Sequence, residues 1–188
     1  MSSKIELVNK ILSLENKPTL QAVEELRVRG WLCDGSLRGL ALCHAQLQDA
    51  DLMEADLCSV DFHQGNLDLA DLSKARLNNA KLNRASLQRT NFDHTDLTFA
   101  DMYKANLRGA RNLTTEQLSS VHQLLGAIMP DGSVYDGRFD LSGDLARARW
   151  AKVNLEDVER MAEFYGVSVE TYLAAHQHKA CVTTAVEH

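Results

Sequence analysis

From Leu37 onward an apolar residue returns at every fifth position. The series runs Leu37, Leu42, Leu47, Leu52, Leu57, Phe62, Leu67, Leu72, Leu77, Leu82, Leu87, Phe92, Leu97, Met102, Leu107 without a polar interruption. Two residues before most of these stands something small: Gly35, Ala45, Ala50, Ala55, Gly65, Ala70, Ala75, Ala80, Ala85, Ala100 and Ala105. Thr90 and Thr95 are polar variants, and Leu40 and Val60 are larger ones. Between the small and the large residue comes Asp, Asn or another polar residue in most repeats, as in Ala50-Asp51-Leu52 and Ala105-Asn106-Leu107. Neither regular element explains this period. A helix rotates residues five apart by about 140°, and a strand sends them to opposite faces. A chain that turns a corner every five residues does explain it, and that predicts a solenoid.

The A-(D/N)-L-x-x pattern resembles the pentapeptide-repeat family over roughly residues 30–110. The resemblance implies a β solenoid, specifically a right-handed quadrilateral parallel β-helix. In that family each repeat forms one side, and four repeats complete a coil of twenty residues. The large central residue and the small one two before it then point inward, where four converging sides leave room for a large side chain only beside a small one.

Twenty-residue stacking gives order to an uneven charge distribution. Between Asp49 and Asp71 stand seven acids and no Lys or Arg; between Lys74 and Arg89 stand five bases and no acid. Shifted by twenty, these become ladders: Asp56–Arg76–Asp96, Asp61–Lys81–Asp101 and Glu54–Lys74–His94. Opposite charges at strand spacing attract, so the ladders favour one register. Asp51 over Asp71 and Arg84 over Lys104 break the rule. A ligand patch on the basic block is the alternative, and the ladder is preferred.

The flanks read as helical caps, because a solenoid with open ends exposes unpaired backbone. Residues 1–30 form the N-terminal cap, with an amphipathic helix from Ser3 to Leu14 and a second from Leu20 to about Arg29. Asn16-Lys17-Pro18 interrupts them, and Thr19 is the expected N-cap. Residues 31–112 are the repeats. Residues 113–188 form a C-terminal helical cap and subdomain. Thr114 and Gln117 offer a capping box for a helix to about Leu125. Further helices are expected from Ser142 or Asp144 through Trp150, from Asn154 through Tyr165 with Gly166 as its end, and from Ser168 to about Gln177.

Composition narrows function mainly by exclusion. Net charge is −6, with 20 Lys and Arg against 26 Asp and Glu, which opposes direct binding to nucleic acid. The four cysteines (Cys33, Cys43, Cys58, Cys181) show no C-x-x-C spacing, fitting a reducing cytoplasm better than a disulfide scaffold. The charged N-terminus is unlike a signal peptide, and no stretch approaches a membrane span.

Candidate chemistry is thin. Cys43 and His63 stack at twenty residues beside His44, yet no further residue completes a zinc site. Asp51 over Asp71 is a paired carboxylate without a cleft. Val158–Leu173 faintly resembles the end of a helix-turn-helix domain but lacks its basic recognition helix. No catalytic, cofactor-binding or metal residue is therefore assigned, no cofactor is expected, and the protein is not read as an enzyme. The expected role is a non-catalytic protein-interaction or scaffolding module, bacterial and cytoplasmic, with a protein partner of unknown identity. The resemblance implies an alternative. Some family members are acidic rods that occupy the DNA groove of a type II topoisomerase such as DNA gyrase, and they dimerise through C-terminal ends. A homodimer through the C-terminal helices is accordingly a candidate assembly. Here the repeats from Gly35 to Ala110 carry 10 acids against 8 bases, a poor imitation of DNA.

Overall fold

The computed structural model describes residues 2–12 and 15–183. Parallel backbone pairs link Ala41 to Asp61, Gln46 to Asn66 and so on to Asn91 and Arg111, always twenty residues apart. A corner every five residues and a twenty-residue rise make a four-sided coil. Each side is too short to be a strand: one residue per side pairs with the coil below, flanked on both sides by turns.

The repeat accounts for each of its five backbone N–H groups, as a buried chain requires. Taking Asp51 to Ala55, the Leu52 N–H donates to Asp71 O in the next coil, and Glu54 N–H to Ser73 O. Ala55 N–H closes the turn onto Leu52 O. In the next coil Asp71 N–H returns a bond to Ala50 O. The fifth donor explains the Asp or Asn before many of the central residues: its carboxyl or amide oxygen accepts the N–H two residues on. Asp51 holds Met53 N–H at 3.1 Å, Asp71 holds Ser73 at 2.9 Å, and Asn106 holds Arg108 at 3.1 Å. Short polar side chains do this well because they reach their own turn.

The interior is filled as the alternation predicts. Leu37, Leu52, Leu72, Met102 and the other central residues are at most 2% exposed, as are the interior alanines from Ala45 to Ala105. Thr90 and Thr95 are buried too, and their hydroxyls donate to Leu67 O and Leu72 O at 2.7 Å. Two polar residues thereby enter the core without an unsatisfied group.

The corners carry a cost that sequence does not advertise. From His44 to Lys104 the second residue after each central one has φ between +52° and +63°, although none is glycine. For an L-residue this costs roughly 1–2 kcal/mol. Asn tolerates the conformation, and β-branched residues do not. Asn79, exposed at such a corner with φ +59°, provides a test. Asn79→Ile is expected to lose roughly 1–2 kcal/mol in urea unfolding, with Asn79→Gly within about half of that.

The expected end of the repeats near Ala110 is corrected by one further coil. Asp101 pairs with Gln123 and Asn106 with Ile128, now 22 residues apart. The two extra residues are absorbed by α3 (Thr115–Ser120), which Thr114 and Gln117 open with a capping box. α3 therefore stops at Ser120, not near Leu125, and Leu124, Ala127 and Met129 resume the buried register. Gln117 also donates to Phe92 O and Thr95 O at 2.8 Å, tying the helix to the coil it follows.

Both ends are closed by polar as well as apolar contacts. At the N-terminus α1 (Lys4–Ile11) and α2 (Asn16–Val28) pack together, burying Leu7, Ile11, Ala22, Val23 and Leu26. Arg27 donates to Asp51 O at 2.7 Å and Asn16 to Gln48 O at 3.1 Å, both free carbonyls of the first coil. α2 starts before Pro18, contrary to the expected break. A proline in the first turn removes an N–H that would have had no helical partner. Thr19, expected as an N-cap, is buried, and its hydroxyl donates to Lys10 O and Glu15 O. Leu14, the expected end of the first helix, lies outside the described residues.

At the other end a hairpin pairs Ile128 with Val134, followed by α4 (Ser142–Trp150), α5 (Val158–Tyr165) and α6 (Val169–Thr183). Asp157, not Asn154, caps α5, and Gly166 ends it at φ +72°. Asn154 instead accepts Glu156 N–H in the preceding turn. Tyr135 stacks on Phe139 and meets the edge of Tyr165, which stacks on Tyr172. Gly137 is obligatory here: its φ is +85°, and a Cβ would sit 2.5 Å from the Tyr165 ring.

Candidate functional site

The residues singled out from sequence serve structure. His44 and His63 meet edge-on with ring centroids 6.2 Å apart, and His63 Nδ1 bonds to the Asn83 amide at 2.5 Å. Burial, followed by the neighbouring Asp61, pushes the Cys43 thiol above its usual range. Among the described residues no three His, Cys, Asp or Glu side chains converge on a metal position. Asp51 and Asp71 do stack as a parallel pair, but their carboxylates are taken up elsewhere. Asp51 faces Arg27 at 2.6 Å, and Asp71 accepts from Asn91 at 3.1 Å.

Of the charge ladders the upper rungs close: Glu54–Lys74 at 3.6 Å, Asp56–Arg76 at 3.3 Å and Asp61–Lys81 at 3.4 Å. The lower rungs to His94, Asp96 and Asp101 form no ion pair among the described residues. Exposed ion pairs add little to stability, and Asp56 is the exception because it is buried. It is 4% exposed and also accepts from Arg38 Nε at 2.8 Å and Nη2 at 2.5 Å. The Arg38 bonds hold its carboxyl well below the usual range, to about 2. Val158–Leu173 forms the α5–α6 pair, and Tyr165 and Tyr172 are spent in the aromatic core.

The surface that stands out lies at the C-terminal end, and sequence reasoning missed it. Trp150, on the last turn of α4, is 88% exposed, and Phe99 is 61% exposed. Phe99 occupies a left-handed corner where the other coils place polar residues, apart from Leu69; that break in pattern was the available signal. His122 N–H donates to Ala100 O, next to Phe99 in sequence, and the His122 ring lies beside Gly143 of α4. Trp150, His122, Gln123, Ala146 and Arg147 line an open hollow of about 440 Å³. Arg147 lies over the Tyr103 ring at 4.0 Å while its Nε donates to Gln123 at 2.8 Å, and Lys104 approaches the same ring at 5.3 Å. The result is an aromatic and cationic surface held on rigid coils.

Compared with known families, the chain matches the model described as pentapeptide repeats, in 8 copies, over residues 36–73 and 70–109. The chain carries a pentapeptide-repeat domain. A solved pentapeptide-repeat protein of the Arabidopsis thaliana thylakoid lumen is similar at 22% identity, with 73% of this chain and 87% of that one covered and a TM-score of 0.47. HetL, a pentapeptide-repeat protein of the cyanobacterium Nostoc involved in heterocyst differentiation regulation, is 26% identical. That alignment covers 52% of this chain and 62% of HetL, with a TM-score of 0.29. No curated protein matches the sequence.

Pentapeptide-repeat architecture explains why the candidate surface is an open outer face and not an enclosed cleft. The coil interior is filled by its own side chains, so new chemistry can be presented only on the sides, the corners and the two ends. Here Phe99 uses a corner and Trp150 an end. Among the described residues no helix is long and apolar enough to cross a membrane.

Proposed function

We propose that this pentapeptide-repeat protein is a non-catalytic interaction module that holds a protein partner on the surface around Trp150. The exposure of Trp150 supports this reading most directly. Large aromatic residues left in water beside a fixed arginine are the residues that dominate protein interfaces. Phe99, 61% exposed at a corner where all the others except Leu69 are polar, points the same way. An affinity pull-down with mass-spectrometric identification tests it. Trp150→Ala and Phe99→Ala are expected to lose a partner that the wild type retains, with unchanged melting temperature. A partner retained equally by both variants would move the interface elsewhere.

Mimicry of DNA toward a topoisomerase is the weaker reading. A mimic needs continuous negative potential to meet a groove lined with Lys and Arg. Lys74, Arg76, Lys81, Arg84 and Arg89 interrupt it midway along the rod. Supercoiling by DNA gyrase is expected to be unaffected at micromolar protein, with no protection from a quinolone. Salt-sensitive inhibition that weakened in Asp51→Asn/Asp71→Asn would reverse this ranking.

A further inference from the structure

One edge of the rod is charged so that it complements itself. Asp49, Leu69 and Arg89 occupy one corner in successive coils, joined by bonds from Asp49 N–H to Asp68 O and from Leu69 N–H to Gln88 O. Beside this corner run Asp51, Asp71, Asn91 and Arg111, paired in series. On its other flank run Gln48, Asp68, Gln88 and Arg108, three sequence positions before Asp51, Asp71, Asn91 and Arg111. The two upper coils thus present four acids along this edge, and the two lower coils present three arginines. Arg89, Arg108 and Arg111 form no ion pair among the described residues, although Arg111 Nε donates to Arg89 O. The acids are only partly engaged. Asp51 meets Arg27, Asp68 accepts from Ser86 and Gln88, Asp71 accepts from Ser73 and Asn91, and Asp49 remains exposed.

We propose that this edge binds a second copy of the chain, antiparallel, about a two-fold axis between the coils of Leu69 and Arg89. An isologous contact meets its own surface, so the patch must complement itself under that rotation. Here the rotation sets the Asp49 and Asp51 coil against the Arg108 and Arg111 coil. It sets the Asp68 and Asp71 coil against the Arg89 coil, and each pairing occurs twice. Leu69, 40% exposed, falls near the axis against the aliphatic stem of Arg89, which covers apolar surface while its guanidinium stays wet. A parallel pair would set acid on acid, which selects against it. The strip is narrow, so the dimer is of the weak, salt-sensitive class.

Sedimentation of the full chain tests this. At low ionic strength and high concentration the mass is expected to rise toward twice 20.9 kDa, and to return to one chain in high salt. Asp49→Lys/Asp51→Lys should be monomeric, as should Arg108→Asp/Arg111→Asp, because each sets like charges opposite. An equimolar mixture of the two should dimerise again, since each variant then supplies what the other lacks. A wild type that stays monomeric at low salt overturns the proposal. So does a dimer that survives either reversal, or a mixture that fails to recover. Melting curves identify any variant that does not fold. Should Asp51→Lys unseat Arg27, Arg108→Asp/Arg111→Asp decides alone, by abolishing or retaining the dimer.

Discussion

Leu72→Asp is expected to abolish cooperative folding of the rod. Leu72 is fully buried, so the change forfeits about 2–3 kcal/mol of apolar burial and adds several more for a carboxylate without a partner. That sum rivals the whole stability of an ordinary domain, about 5–15 kcal/mol. Ala75→Leu, at a fully buried small position, should cost about 1–3 kcal/mol by overpacking the coil. Thr98→Ala, on the exposed wall, should change stability by less than about 0.5 kcal/mol. Ser73, outward by register, is not such a control. It is 7% exposed, accepts from Asn91 at 2.7 Å and bonds to Asp71, so Ser73→Ala should lose about 1 kcal/mol. Urea unfolding followed by circular dichroism ranks the four, and equal midpoints for Leu72→Asp and Thr98→Ala would refute the register.

The second large effect concerns pH and Asp144. This carboxyl is fully buried in α4, where its Oδ1 accepts from Leu125 N–H at 2.9 Å and Leu124 N–H at 3.2 Å. Burial pushes its pKa up to about 6, although those two bonds favour the charged form. A raised folded-state pKa stabilises the fold below the unfolded value near 4, and that contribution is lost as pH rises through about 6. The loss is on the order of 3 kcal/mol between those limits. Asp56, with its pKa held near 2, acts oppositely: its contribution is present above pH 4 and disappears only in stronger acid. Urea midpoints between pH 4.5 and 7 therefore isolate Asp144. Wild type should weaken across that interval, while Asp144→Asn, which keeps an acceptor for both N–H groups and carries no charge, should stay level. A wild type equally stable at both ends of the interval would show that Asp144 is not desolvated as the fold implies.

The period of five was decisive because it is local and redundant. Fifteen central positions repeat one requirement, and no other backbone geometry sends residues five apart inward together. Register, interior and stacking at twenty residues were legible for that reason, as was the capping box at Thr114. Gly166 ends α5 as its conformational freedom suggests. Other features depended on what the turns and ends require of the backbone. The Asp and Asn before many central residues answer an N–H that coil stacking leaves over, which becomes visible only once the other four are assigned. The 22-residue coil past Ala110 looked like a lapse of the period, because α3 replaces one side and moves the register by two. Asp144 read as a candidate helix start and is in fact the acceptor that closes the last coil. Trp150 lay in a helix with no register to the repeats, so sequence could not place it in one hollow with His122 and Gln123. Short-range repetition determined the rod. The ends and the surface they build were decided by contacts between segments that share no period, which only tertiary packing brings together.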